Sequence, residues 1–476
     1  MNSARVIAKN TVTYLLANLL YFVFTFFTVI YTARYLGASL YGTLSIALAF
    51  AATFGVISDL GISTLTTREV AKDKLLTDKF VGNIIVLRLI LAFITVGIIF
   101  IIANLGNYSQ ETTVTIYIAS LSIIVAVFPG IFSSIFQAYE KMEYPSVNMI
   151  LTGIILFSGT LFLISKGFGV VEFALLNVAA GIVVLAYCLI VYSWKVALPH
   201  IEFDINFWKK ILNVSLPIGM ISLSGMLYTY LDSIILSLLQ PMEVVGWYSA
   251  AYRLMLVLLF IPTAVNVAVF PVMSKYFLSA PDALKLLYER YFKFMIIIAI
   301  PIGFGTVLLA DKIILLIFGP AYTNSTTALQ ILIWTIVFTF AGASFVQLYI
   351  ATNRQLIITK ISLICVVINL ILNLMLIPKF SYIGASIATV ITEIILVSYL
   401  IRAGYKFGYG ISRDIGLNIV FKVILCSIIM SIFIWYFQNL NLLILIVSAL
   451  IIYIGTLYLI GGIDKVDLKI INKIIK

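Results

Sequence analysis

The sequence predicts an all-α membrane protein with about 14 transmembrane helices, and three observations carry that prediction. The chain has 476 residues, of which 63% are hydrophobic and only 10% charged. A soluble globular chain carries roughly 45–50% apolar and about 25% charged residues. The apolar residues fall in runs of about 20, the length that crosses roughly 30 Å of hydrocarbon. The basic residues crowd into alternate loops, as orientation in a bilayer requires. Fourteen such spans take up roughly 62% of the chain at about 21 residues each, which leaves no room for a sizeable soluble domain. A soluble surface of this composition would lack polar cover, which excludes a cytosolic enzyme, a secreted disulfide scaffold and a nucleic-acid-binding domain.

The spans fall at about 11–35, 41–65, 81–104, 114–138, 147–165, 170–194, 213–239, 247–273, 291–310, 326–351, 357–377, 383–402, 416–437 and 441–461. Membrane strands would be about 10 residues of alternating pattern, whereas these runs are longer and apolar all round. With the N-terminus inside, the inner segments and adjoining helix ends hold 25 of the 30 basic residues. The outer segments hold Arg34, Lys166, Lys312 and Lys379, and Arg253 lies within a span. A missed or false span would invert every later loop, so the asymmetry predicts an even span count and both termini cytoplasmic. The net charge of +11 follows from the same bias and implies no nucleic-acid partner. The inner connections 66–80, 195–212 and 274–290 are the longest, and 282–294 reads as an amphipathic helix on the inner leaflet. Cys188, Cys365 and Cys426 lie singly inside apolar segments, and His200 is the only histidine. Neither a disulfide framework nor a metal site is implied. The N-terminus leads straight into a full-length span, without the pattern of a cleavable signal peptide.

Residues 41–50 align with 245–254 at an offset of 204, matching Gly42 to Gly246, Ser45 to Ser249 and Ala47 to Ala251. Residues 138–142 align with 351–355 at 213, and 187–190 with 399–402 at 212. These offsets predict two copies of a six-helix unit, at 1–200 and 201–410, with two more helices and a cytoplasmic tail at 411–476. Because six is even, both copies start inside and are related by an axis along the membrane normal.

The stretches ARYLGASLYGTLSIALAF (33–50) and SDLGISTLTTREVAK (58–72) resemble the first two helices of the polysaccharide transporter, or oligosaccharide flippase, family. YLDSIILSLLQPMEVVGWYSAAYRL (230–254) is similar to the segment that opens the second half. That family belongs to the multidrug/oligosaccharidyl-lipid/polysaccharide exporter superfamily, which also holds lipid II flippases and multidrug antiporters. The resemblance covers the chain in length, helix count and repeat layout, and its degenerate motifs specify the superfamily better than the substrate. It implies a V-shaped pair of six-helix lobes around a cavity. It also implies movement of polyisoprenoid-linked oligosaccharide across the cytoplasmic membrane.

Ionisable groups at membrane depth are costly and raise a functional hypothesis. Asp232 and Arg253 lie about 9–10 Å below the outer ends of the seventh and eighth spans at 1.5 Å per residue, which predicts an ion pair. A guanidinium matches phosphate or carboxylate oxygens, so Arg253 is also a candidate contact for an anionic substrate. Asn18 and Asp59 form a second layer near the inner surface, with Arg68 expected close by. By the repeat offset Asp59 corresponds to Thr263 and Asp232 to Thr28, so the two halves are charged at opposite depths. Arg34 breaks the positive-inside trend at the outer end of the first span, where a snorkelling role competes with substrate contact. Glu393 is the deepest carboxylate, and Asn369 and Asn373 share one helix face at i,i+4 spacing. A satisfied polar cluster and an ion-coupling site both fit these three. Pro262 and Pro271 interrupt the eighth span, where bending or a static kink follows.

The first functional expectation is a flippase for lipid-linked oligosaccharide, with Arg34, Asp59, Arg68, Asp232 and Arg253 toward the substrate. Coupling to sodium, protons or the membrane potential falls to Glu393, Asn369 and Asn373. A cation-coupled multidrug antiporter of the same fold is the alternative, and a membrane-embedded enzyme lacks outer loops large enough for a catalytic cluster. No nucleotide-binding loop is present, and no cofactor is expected. The expected surroundings are the bilayer, a monomeric state and glycan-assembly enzymes as candidate partners.

Overall fold

The computed structural model describes residues 3–412, 414–464 and 467, with backbone alone at 3–8 and 414. The tail beyond Asp467 and the basic residues Arg413 and Lys465 therefore lie outside the described residues. The helices are α1 (Ser3–Asp59), α2 (Ile62–Lys72), α3 (Thr77–Leu105), α4 (Gln110–Ala138), α5 (Glu143–Lys166), α6 (Val170–Lys195) and α7 (Ile205–Leu239). They continue as α8 (Met242–Leu258), α9 (Phe260–Ser279), α10 (Pro281–Ile317), α11 (Ser325–Ala351), α12 (Gln355–Lys406), α13 (Ile419–Tyr436) and α14 (Leu442–Leu459). No strand occurs among the described residues. Among the described residues, twelve helical stretches are long and apolar enough to cross a membrane. Two of them, Lys9–Asp59 and Gln355–Lys406, run 51 and 52 residues, enough for two crossings each at about 20 residues per crossing.

Each long stretch breaks where the sequence expects a turn. Gly37 has φ 71° in α1, and Ser381 has φ 53° in α12, three residues after Pro378. Proline withholds the amide that would continue the helix. The eighth span is also broken, between α8 and α9 at Leu259, ahead of Pro262. The segment 282–294 is not a separate surface helix: it forms the first turns of α10. Tyr288, Glu289 and Lys293 there are buried, because their polar groups find partners within the protein.

Two compact units divide the chain, Met1–Gly246 and Trp247–Lys476. In the first, Phe50, Ile62, Ile84, Ile116, Phe132 and Tyr192 are among the residues of one continuous core. In the second, Met295, Leu332, Ile336, Phe340, Phe345 and Leu400 are fully or almost fully buried. The outward faces are equally apolar: Ile101, Phe421 and Ile451 are 62%, 69% and 66% exposed. Such faces belong in hydrocarbon rather than water.

The internal repeat recurs in backbone detail. α4 ends with Tyr139 N–H donating to Ile135 O, Glu140 N–H to Gln137 O and Lys141 N–H to Phe136 O. α11 ends with Thr352, Asn353 and Arg354 donating to Leu348, Ile350 and Tyr349, the same pattern 213 residues later. Glu140 and Asn353, the matching left-handed residues, both have φ 58°. A second correspondence lies in the first unit. A Cβ on Gly42 would overlap the Met242 carbonyl, and one on Gly246 would overlap the Ala38 carbonyl. The offset of 204 exchanges these partners, so the approach is reciprocal.

Candidate functional site

In the first unit the second arm of α1 ends at two consecutive left-handed residues, Leu60 (φ 43°) and Gly61 (φ 78°). The Asp59 carboxylate crosses this break and accepts from the Ser63 N–H at 3.2 Å and from the Ser63 hydroxyl. This caps the start of α2, which otherwise has unsatisfied amides. Arg88 of α3 completes the arrangement. Its guanidinium lies 3.2 Å from Asp59 Oδ1 and donates to Ser63 Oγ at 3.0 Å and to the Ser58 carbonyl at 3.3 Å. The Arg88 side chain is only 7% exposed, and Gly130 of α4 leaves room for it. A buried charge needs such pairing and hydrogen bonding.

Gly130 also borders a cavity of about 400 Å³ between α4, α5 and α6. Ser122, Ser133, Asn148, Thr152 and Asn177 supply its polar groups, beside Pro129. Asn148 Nδ2 donates to Ser133 Oγ at 3.4 Å. No ionisable side chain lines this cavity. Hydroxyls and amides both donate and accept, so it suits a neutral, hydroxyl-rich ligand better than a cation.

In the second unit Glu393 is buried on α12 and accepts from Thr339 Oγ1 of α11 at 2.8 Å. Asn369 and Asn373 are also buried. Asn373 Nδ2 donates to Asn369 Oδ1 at 3.0 Å, and Asn369 Nδ2 donates to Thr392 Oγ1 at 3.4 Å. The two asparagines thus reach the neighbour of Glu393 in the sequence. A separate groove of about 380 Å³ runs between α10, α13 and α14. Ile298, Pro301, Met430, Ile446 and Leu450 are among its apolar residues.

Arg68 is exposed on α2, where its Nε donates to Glu69 at 2.8 Å. Asp59 is instead paired with Arg88. Arg34 is exposed on α1, Asp232 is buried on α7 and Arg253 is half-buried on α8. Sequence reasoning counted Arg88 as an inner helix-end charge and missed its role. The available signal was depth: Arg88 lies about seven residues inside its span, the depth of Asp59 in the preceding antiparallel span. Among the described residues no group of three or more His, Cys, Asp or Glu is placed to hold a metal ion.

The chain is 23% identical to "Probable low-salt glycan biosynthesis flippase Agl15" of Haloferax volcanii over 389 residues, covering 81% of each. It is 30% identical over 206 residues to "Capsular polysaccharide biosynthesis protein CapF" of Staphylococcus aureus, covering 42% of this chain and 51% of that one. Among solved structures, the lipid II flippase MurJ in its inward closed conformation matches with TM-score 0.75 and 18% identity, covering 94% of this chain and 98% of MurJ. An inward-facing multidrug resistance MATE transporter matches with TM-score 0.65 and 17% identity, covering 81% and 94%. These likenesses show the fold, a multi-pass helical bundle. The family model described as "Polysaccharide biosynthesis protein" matches residues 7–277, more than half of the chain, and the protein belongs to that family.

Proposed function

We propose that the protein is a flippase that moves polyisoprenoid-phosphate-linked oligosaccharide across the cytoplasmic membrane by alternating access. The observation that carries this reading is the uncharged cavity lined by Ser122, Ser133, Asn148, Thr152 and Asn177. Sugar hydroxyls are met by hydroxyls and amides, whereas an organic cation calls for carboxylates. The apolar groove of α10, α13 and α14 supports a lipid-borne substrate, and the flippase relative supports the transport class. Both termini are cytoplasmic in this reading, as the basic-residue asymmetry favours. Arg34 and Arg253 are the candidate phosphate contacts. Glu393, Asn369 and Asn373 form the candidate coupling site for a proton or sodium ion, since a buried carboxylate beside amide oxygens can take either.

Reconstitution in proteoliposomes tests the proposal, with a fluorescent polyisoprenoid-diphosphate saccharide and a lipophilic cation as parallel probes. Saccharide movement that falls with Asn148→Leu or Arg253→Ala, without cation movement, is the expected result. Cation efflux driven by a sodium or proton gradient, with no saccharide movement, would overturn it in favour of an antiporter.

A further inference from the structure

The first turns of α10 carry two basic residues one turn apart, Arg290 and Lys293. Lys293 is almost completely buried, with its side chain 3% exposed. Both meet the carboxylates of Asp464 and Asp467, which follow α14. Arg290 Nη1 lies 2.7 Å from Asp467 Oδ1 and also pairs with Asp464. Lys293 Nζ lies 3.4 Å from Asp464 Oδ2 and also pairs with Asp467. The two carboxylates brace one another's backbone, with Asp464 N–H donating to Asp467 Oδ2 and Asp467 N–H to Asp464 Oδ1, each at 2.9 Å. Two positive charges thus hold two carboxylates, one buried at Asp467 and one 42% exposed at Asp464.

This cluster adjoins the apolar groove. Ile297 and Ile298 line the groove within about two turns of Lys293 on the same helix. The Tyr453 hydroxyl of α14 donates to the Ile297 carbonyl at 2.7 Å and also lines the groove. An amphiphile with its chain along α10, α13 and α14 would bring its head group to Arg290 and Lys293. A diphosphate diester carries about two negative charges and presents oxygens that suit guanidinium and ammonium donors. It therefore matches in charge what Asp464 and Asp467 now supply.

We infer that Arg290 and Lys293 form a diphosphate-binding site at the mouth of the groove, occupied in cis by the carboxylates of Asp464 and Asp467. Ligand binding displaces those carboxylates, which set the threshold for occupancy. The choice of a prenyl probe rests on the proposed substrate class, but the test reads binding rather than transport. Saccharide transport with no displacement of these carboxylates would sink this site alone, and the converse would sink the transport reading alone.

The test uses the whole chain in phosphatidylcholine nanodiscs and follows amide hydrogen exchange at Asp464 and Asp467, whose N–H groups donate to each other's carboxylates. The probes are geranylgeranyl diphosphate, inorganic pyrophosphate and geranylgeraniol. Faster exchange with the prenyl diphosphate, and none with the alcohol, is expected. Asp464→Asn weakens the internal competitor and should lower the half-saturating concentration by about tenfold. Arg290→Gln with Lys293→Met should abolish the response. Pyrophosphate as potent as the prenyl form would support the site and make free diphosphate its ligand, whereas a response to the prenyl form alone assigns a lipid head group. Unchanged exchange with both diphosphates would overturn the inference. So would an Asp464→Asn protein with unaltered affinity, and these two readings stand even if the double variant fails to fold.

Discussion

Arg88 carries more of the first unit's local structure than any residue chosen from sequence. It joins α3 to both sides of the break after Asp59 and supplies a donor to the Ser58 carbonyl. Arg88→Met removes one partner of a largely buried pair, which costs about 3–5 kcal/mol when the other charge stays buried. The side chain of Asp59 is 28% exposed, so the lower end is expected, about 3 kcal/mol. Thermal unfolding in detergent should show this loss, and Asp59→Asn in the Arg88→Met background should recover part of it. Glu393→Gln keeps the size of the side chain and removes its charge. The variant should lose the dependence of transport on pH or sodium while still accepting from Thr339, and wild-type coupling would remove Glu393 from that role. At the tail, burial acts to raise the pKa of Asp464. The Arg290 hydrogen bond, the Asp467 N–H and the charges of Lys293 and Arg290 outweigh burial and hold it well below the ordinary 3.8. A lowered folded pKa stabilises above the ordinary value and is lost as pH falls below it. Relative to the intrinsic exchange rate at each pH, protection of the Asp464 and Asp467 amides should therefore be high at neutral pH and fall in acid below about pH 4. Asp59 and Glu393 were legible because a carboxylate in an apolar run stands out. Arg88, Arg290 and Lys293 were not, because near a helix end a basic residue reads as an orientation signal whether it faces water or a buried acid.

Among the elements, span length was legible because hydrocarbon thickness imposes it. What the pattern left open was continuity. Gly37 and Ser381 turn the chain without a loop, and α10 absorbs residues that read as a surface helix. The amphipathic pattern at 282–294 was real, but its polar face meets Ser412, Asp464 and Asp467 through Glu289, Arg290 and Lys293. Pairing partners that lie far along the chain cannot be read from local periodicity. Packing between elements gives a sharper prediction. Gly97 of α3 has open space where a Cβ would go, whereas Gly42 has the Met242 carbonyl. Gly97→Ala should stabilise by up to about 1 kcal/mol through helix propensity. Gly42→Ala should destabilise by about 1–3 kcal/mol through overpacking. The difference in unfolding midpoint between these two variants isolates the crossing from propensity.

For the whole molecule, composition and charge asymmetry announced a multi-pass bundle, and the quoted motifs pointed to the family that the match over 7–277 bears out. The cavity between α4, α5 and α6 was not legible, because Ser122, Asn148 and Asn177 are ordinary residues in apolar helices until packing gathers them. Asn148→Leu should reduce saccharide transport about tenfold or more if two hydrogen bonds to substrate are lost, at about 1 kcal/mol each. Its thermal stability should stay close to wild type, which separates loss of a ligand from loss of fold.

The reciprocal approach of Gly42 to Met242 and of Gly246 to Ala38 bears on ancestry. A contact in which residue i meets j while j's counterpart meets i's is the kind two identical chains make across a two-fold axis. A single six-helix ancestor could have closed the same crossing by self-association, before duplication placed both copies on one chain. The small residue at both positions would then be inherited from one homodimer interface rather than selected twice. A fragment holding only the first copy keeps Ala38 and Gly42 without their partner. It should self-associate in detergent through that face, and Gly42→Leu should leave it monomeric.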